Sequence, residues 1–214
     1  MKISLVLTAY LGAFHPLSSF ADSSVLFIGD SHSVTTFGRR LDENLRTLPD
    51  MKVQTVASCG AVARYFWVGT NTRCGYFFRD INGEISRGTR GPTPKITDFF
   101  RKQIPDHTIV QLSGNYSGYS DDFILKDTEK TAKFITENGS KCFWIGPADS
   151  RDRSRIPRLK RLLEISVAPY CDMFWSDSVT KYPETGGDGI HYSGPEGMKQ
   201  AKIWAEKAFE SFVK

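Results

Sequence analysis

The feature that most constrains the fold is an alternation. Five short runs rich in β-branched and aromatic residues are VLFIG (25–29), KVQTVA (52–57), TIVQLSG (108–114), KCFWIGP (141–147) and CDMFWSD (171–177). Between them lie helical patterns at 32–48, 94–103, 121–138 and 155–167, and a last one follows at 195–213. Strands that alternate with helices pair in parallel, because each return to the sheet needs a crossover. The pattern therefore predicts an α/β chain, a three-layer α/β/α sandwich with a five-stranded parallel sheet. The stretch from Ala61 to Pro92 breaks the alternation with glycines and many aromatics. It reads as a long loop with a small hairpin, and loops of that length in compact domains usually carry function. No repeat or linker-like break appears, so residues 22–214 read as a single domain, well within the size one core supports.

The first twenty-one residues stand apart. Lys2, an apolar run from Ile3 to Phe14, and small residues at Ser19 and Ala21 have the layout of a signal peptide cut after Ala21. The run is too short to span a membrane, and no later segment reaches the roughly 18 apolar residues needed. The expected product is an exported protein, periplasmic or extracellular, without stable membrane insertion. Export lets the even set Cys59, Cys74, Cys142 and Cys171 read as disulfides, with three connectivities allowed by the count. None forms a Cys-x-x-Cys pair, and His32, His107 and His191 are scattered, so neither a metal nor a cofactor is expected. The net charge of +4 is modest and no nucleic-acid partner is expected. Basic residues gather from Arg151 to Arg161, as a solvated helix face or as a surface for an anionic polymer.

In an open parallel sheet, ligands bind beyond the carboxyl ends of the strands. Ser31 follows the first strand there and begins a helix, where exposed backbone N–H groups gather. By itself it could be a plain N-cap. Ser58-Cys59-Gly60 follows the second strand and Ser113-Gly114-Asn115 the third, and Asp188 to His191 lies just before the last helix. A hydroxyl, a base with an orienting acceptor, and amide donors at one edge are the inventory of acyl transfer. His32 adjoins Ser31, but successive helical residues point about 100° apart, which argues against it as the base. His107 falls at the opposite edge and reads as structural.

The chain resembles the SGNH (GDSL) hydrolase family along its whole length after the leader. GDSHS (29–33) is close to the family's GDSxS block, Gly60 stands for the second block, SGNY (113–116) for Gly-x-Asn-Asp, and Asp188 with His191 matches Asp-x-x-His. Two departures are Ser113 in a glycine position and Tyr116 in an aspartate position. The resemblance implies the flavodoxin-like SGNH hydrolase fold, with Ser31 as nucleophile, His191 as base and Asp188 as its orienting acceptor. The N–H groups of Ser31 and Gly60 and the amide of Asn115 would form the oxyanion hole. Gly69 and Gly75 are alternative glycines for the second block.

On this reading the chain is a monomeric, exported serine esterase acting on ester bonds. Short acyl groups, acetyl above all, on a carbohydrate or cell-wall glycan are the expected substrate. A lipolytic esterase, lysophospholipase or thioesterase is the alternative, and a catalytically silent glycan-binding module the second. Tyr65, Phe66, Trp67, Tyr76, Phe77, Phe78, Tyr116, Tyr119 and Tyr192 fall near the expected mouth, as sugar platforms or as packing. Cys142 and Cys171 each begin a strand, and adjacent strands lie about 4.8 Å apart, within bridging range. Cys142–Cys171 is the expected pair, leaving Cys59–Cys74 to close the long loop beside Gly60.

Overall fold

A computed structural model of the chain describes residues 23–185 and 187–214; the leader reading of residues 1–21 lies outside them. The described residues hold the strands β1 Ser24–Gly29, β2 Lys52–Ser58, β3 Asn71–Thr72, β4 Tyr76–Arg79, β5 Ile85–Gly88, β6 Gly91–Pro92, β7 His107–Gln111, β8 Lys141–Ile145 and β9 Asp172–Phe174. The helices are α1 Ser31–Val34, α2 Thr36–Leu45, α3 Ala63–Val68, α4 Ile96–Lys102, α5 Asp121–Glu137, α6 Arg155–Ser166 and α7 Gly194–Phe212. Short 3₁₀ turns at Gly114–Gly118 and Ser176–Ser178 follow β7 and β9.

The central sheet has the order β5-β4-β2-β1-β7-β8-β9. β2, β1, β7, β8 and β9 are mutually parallel, which is the expected five-stranded sheet in flavodoxin-like order. β1 is buried on both faces, so it reads as a continuous apolar run rather than an alternation. Leu26 and Ile28 join a core with Val56, Val110 and Trp144 under α3, α4, α5 and α6. Val25 and Phe27 join the opposite core with Val53, Ile109 and Phe143 under α2 and α7. There Phe37 of α2 stacks on Trp204 of α7 with ring centroids 3.6 Å apart.

The hairpin expected within 61–92 is present as antiparallel β4 and β5, and it extends the sheet from β2 to seven strands. Two expectations need correction. The rest of that stretch is not one long loop, since it also contains α3, β3 and β6. The helix at 32–48 is two helices, because Thr35 is extended (φ −100°, ψ −155°) and both its N–H and its hydroxyl bond to the carbonyl of His32. α2 then folds back so closely that a Cβ at Gly38 would lie 2.1 Å from the Ser33 carbonyl oxygen. A glycine is what permits that approach.

Disulfides join Cys59 to Cys74 and Cys142 to Cys171, with Cα–Cα distances of 5.5 and 4.6 Å. Among the described residues, no helix is long and apolar enough to cross a membrane. The basic run is neither bare nor a free cationic face. Arg153 pairs with Asp149, Arg155 with Asp152, Arg158 and Arg161 with Asp121, and Lys160 with Asp177.

Candidate active site

Ser31 stands at the carboxyl end of β1, where the chain leaves the sheet between β2 and β7. Sequence and geometry explain the local turn. A Cβ at Gly29 would sit 2.0 Å from Ser33 Oγ, so glycine lets α1 lie directly against the strand end. Ser33 Oγ then donates to Gln111 Oε1 of β7 at 2.8 Å, tying the helix to the sheet. Asp30 caps α1, its Oδ1 accepting the His32 N–H at 3.0 Å. Asp30 is fully buried, and that burial pushes its carboxyl up to about 6 despite the His32 N–H.

His191 Nε2 lies 2.8 Å from Ser31 Oγ, and His191 Nδ1 lies 2.6 Å from Asp188 Oδ2. Asp188 Oδ1 also accepts the backbone N–H groups of Ile190 (2.9 Å) and His191 (2.7 Å). Partial burial works against the Asp188 charge, but these bonds outweigh it and hold the carboxyl well below the usual range. With Asp188 ionised, His191 carries its proton on Nδ1 and offers Nε2 as acceptor to the serine hydroxyl. The loop bearing this pair is held from beneath. Tyr182 Oη accepts from Gly189 N–H at 2.9 Å, the Arg151 N–H donates to the Gly189 carbonyl at 2.9 Å, and Tyr192 Oη donates to the Asp149 carbonyl at 2.6 Å.

Of the donors expected for an oxyanion, Asn115 is bonded directly to the residue after Gly60. Gly60 takes φ +77° in the turn after β2. The N–H groups of Ser31 and Gly60 meet no acceptor among the described residues. Asn115 Nδ2 spends one proton on the Ala61 carbonyl at 3.0 Å, leaving the other free. Gly69 ends α3 as its left-handed cap, and Gly75 packs toward Val34 with its carbonyl accepting from Cys59 N–H, so Gly60 is the glycine at this turn.

His32 does not compete as base. It is 6% exposed, edge-on to Trp204 and Tyr192, with its ring 5.4 Å from that of His191. Burial, reinforced by the neighbouring His191, lowers its imidazole to about 3, so it stays neutral. His107 starts β7 at the far edge and stacks edge-on against Phe212.

Most of the aromatics singled out from the sequence pack rather than face solvent. Phe66, Phe77, Tyr116 and Tyr192 are buried. Trp67 turns onto α5, its Nε1 donating to Thr131 Oγ1 and its face covered by Lys130. Tyr119 alone of the nine is more than a third exposed, at 38%. One of them has a role that residue type alone did not reveal. Tyr116 Oη accepts the Ala63 N–H at 2.9 Å and donates to Asp127 Oδ2 at 2.7 Å, and Asp127 also accepts the Arg64 N–H at 3.0 Å. This bridge fastens the segment after Gly60 to the turn that carries Asn115. Asp127 and Tyr182 were legible only as ordinary residues of a helix and a loop, since their partners lie on other elements.

No family model matches the sequence, and no curated relative matches it. Solved structures do match in fold. TesA superposes with a TM-score of 0.60 at 13% identity, over 90% of this chain and all of that one. A candidate SGNH hydrolase from Slackia heliotrinireducens gives 0.57 at 12%, covering 89% and 98%. A peptidoglycan O-acetylesterase gives 0.53 at 11%, covering 91% of each. The chain has the SGNH hydrolase fold.

Proposed function

We propose that the chain is a serine ester hydrolase that removes short acyl groups, acetyl above all, from a glycan. The observation that carries the reading is the unbroken run Asp188–His191–Ser31, with bonds of 2.6 and 2.8 Å. Ser31 Oγ attacks the ester carbonyl as its proton passes to His191 Nε2. The carbonyl oxygen gains negative charge and is met by Ser31 N–H, Gly60 N–H and Asn115 Nδ2, each such donor contributing about 3 kcal/mol in the transition state. The C–O bond breaks and His191 returns the proton to the leaving alcohol. Water, activated by His191, then frees the acyl group and restores Ser31.

One comparison supports a short acyl group on a carbohydrate: among the fold neighbours is a peptidoglycan O-acetylesterase. The two disulfides fit an oxidising compartment and thus the export expected from residues 1–21, with 22–214 as one domain acting as a monomer. The test is kcat/KM across acetyl, butyryl, octanoyl and palmitoyl p-nitrophenyl esters, with acetate release from O-acetylated peptidoglycan and xylan. Highest efficiency on acetyl with glycan release is expected. Efficiency rising to octanoyl and beyond, with no acetate from any glycan, identifies a lipolytic esterase instead. No turnover of any ester identifies a binding module.

A further inference from the structure

His32 follows the nucleophile in the chain and touches two other segments that carry site residues. Its ring lies 5.4 Å from that of His191, centroid to centroid, tilted by 44°. It also meets the turn of Asn115: a Cβ built at Gly114 would lie 3.9 Å from His32 Nε2, which is ordinary van der Waals contact. Trp204 of α7 stands edge-on to the same imidazole at 5.4 Å, and Tyr192 edge-on at 6.0 Å. The buried ring is thus wedged between the base, the turn that carries Asn115 and the last helix.

The wedge is held on rigid parts. Asp30 Oδ1 accepts the His32 N–H, and Ser33 Oγ, next along α1, donates to Gln111 of β7. Trp204 is itself fixed by its stack on Phe37. His191 is placed differently, on a loop, with 36% of its side chain exposed. Its ring is bonded at Nδ1 to Asp188 and at Nε2 to Ser31. Bonds at those two nitrogens act like a hinge, since neither opposes a tilt of the ring about the line that joins them. A packed neighbour is needed to stop that tilt, and His32 is the ring in contact with it. Burial, reinforced by the neighbouring His191, keeps the His32 imidazole neutral, so this contact sets no positive charge against the imidazolium that His191 becomes.

We propose that His32 is a positioning residue, whose imidazole backs the ring of His191 and keeps Nε2 aimed at Ser31 Oγ. This rests on the ester-hydrolase reading. The role asks for a bulky, uncharged side chain on a fixed support, and no proton passes through it. A side chain that fills the same space should therefore serve, and one that leaves it empty should not.

The experiment measures kcat and KM on p-nitrophenyl acetate for His32→Ala, His32→Phe and His32→Leu, with thermal unfolding as the check on fold. A second measurement is the rate of inactivation by diethyl p-nitrophenyl phosphate, which reports attack by Ser31 Oγ without turnover of any carboxylic ester. His32→Ala should lower kcat and the inactivation rate about tenfold each, with KM nearly unchanged. His32→Phe or His32→Leu should restore most of both. A merely structural role would lower Tm in His32→Ala and leave both rates alone, as expected for replacement of Cys142 and Cys171. Wild-type rates in folded His32→Ala overturn the proposal. So do folded Phe and Leu variants as slow as the Ala variant, since the ring nitrogens rather than the packing would then matter. If wild type cleaves no ester but is inactivated at Ser31, and the variants keep the expected order of inactivation, the positioning role stands and the hydrolase reading falls. If wild type does neither, both fall.

Discussion

Asn115 Nδ2 donates to the carbonyl of Ala61 at 3.0 Å, so the residue proposed to offer one oxyanion donor is bonded to the turn proposed to offer another. The same two segments are joined again by Tyr116, whose hydroxyl bridges Ala63 N–H and Asp127. Asn115→Ala should lower kcat on p-nitrophenyl acetate by about 10²-fold or more with little change in KM. A KM effect with kcat preserved would remove Asn115 from the oxyanion hole.

Tyr116→Phe should act differently. It leaves the Ala63 N–H and the buried Asp127 carboxylate each short of a partner, costing about 1–3 kcal/mol of stability. Urea unfolding measures that loss. A smaller fall in kcat than for Asn115→Ala is expected, because the donor remains but is less firmly held.

Ser31 and His191 should behave as one unit. Ser31→Ala and His191→Ala are each expected to lower ester turnover by about 10⁴-fold or more, and the double variant no further. Asp188→Asn should also cost heavily, because an amide no longer holds the His191 proton on Nδ1 and Nε2 is no longer fixed as the acceptor. Near wild-type turnover in purified Ser31→Ala would overturn the assignment.

Asp30 should leave a mark on stability against pH. Its folded value of about 6 exceeds the ordinary 3.8. Below about pH 4 both states hold the proton. Between 4 and 6 the unfolded chain releases it and the folded chain keeps it, so stability falls as pH rises, by about 3 kcal/mol in full. Asp30→Asn retains a good helix cap and lacks this slope. Its stability relative to wild type should therefore grow from pH 4 to 6 and level off above that. Urea titrations at pH 4, 5, 6 and 7 check it; a constant difference would contradict the buried, neutral carboxyl.

The two disulfides should separate stability from activity. Closing 15 residues of chain, Cys59–Cys74 stabilises by about 3 kcal/mol, and Cys142–Cys171 is expected to do about the same. The first holds the turn of Gly60, whereas the second joins residues where β8 and β9 begin, at the edge away from Ser31. Replacing either pair by serine should lower Tm. Only the Cys59/Cys74 variant should also lower kcat on p-nitrophenyl acetate.

The sequence by itself determined the parallel sheet and the positions of Ser31, Asn115, Asp188 and His191. Apolar runs and helical spacing are local signals, and each of these residues follows directly from a strand end or precedes a helix start. What it left undecided depends on contacts between elements distant in the chain. The hairpin at Tyr76–Gly88 joins the sheet only because β2 offers it an open edge. Phe66 and Phe77 are core rather than sugar platform because α5 and α2 cover them, which no window of neighbouring residues reveals. Tyr116 stands where the family pattern has an acid, and its partner Asp127 lies 11 residues on, in a helix whose rotation sets that bond. Whether a cation is free or paired was likewise a tertiary matter. The dense run 151–161 finds carboxylates on other segments, while the sparse Arg73, Arg87 and Arg90 find none among the described residues, because pairing depends on what folding brings within about 4 Å.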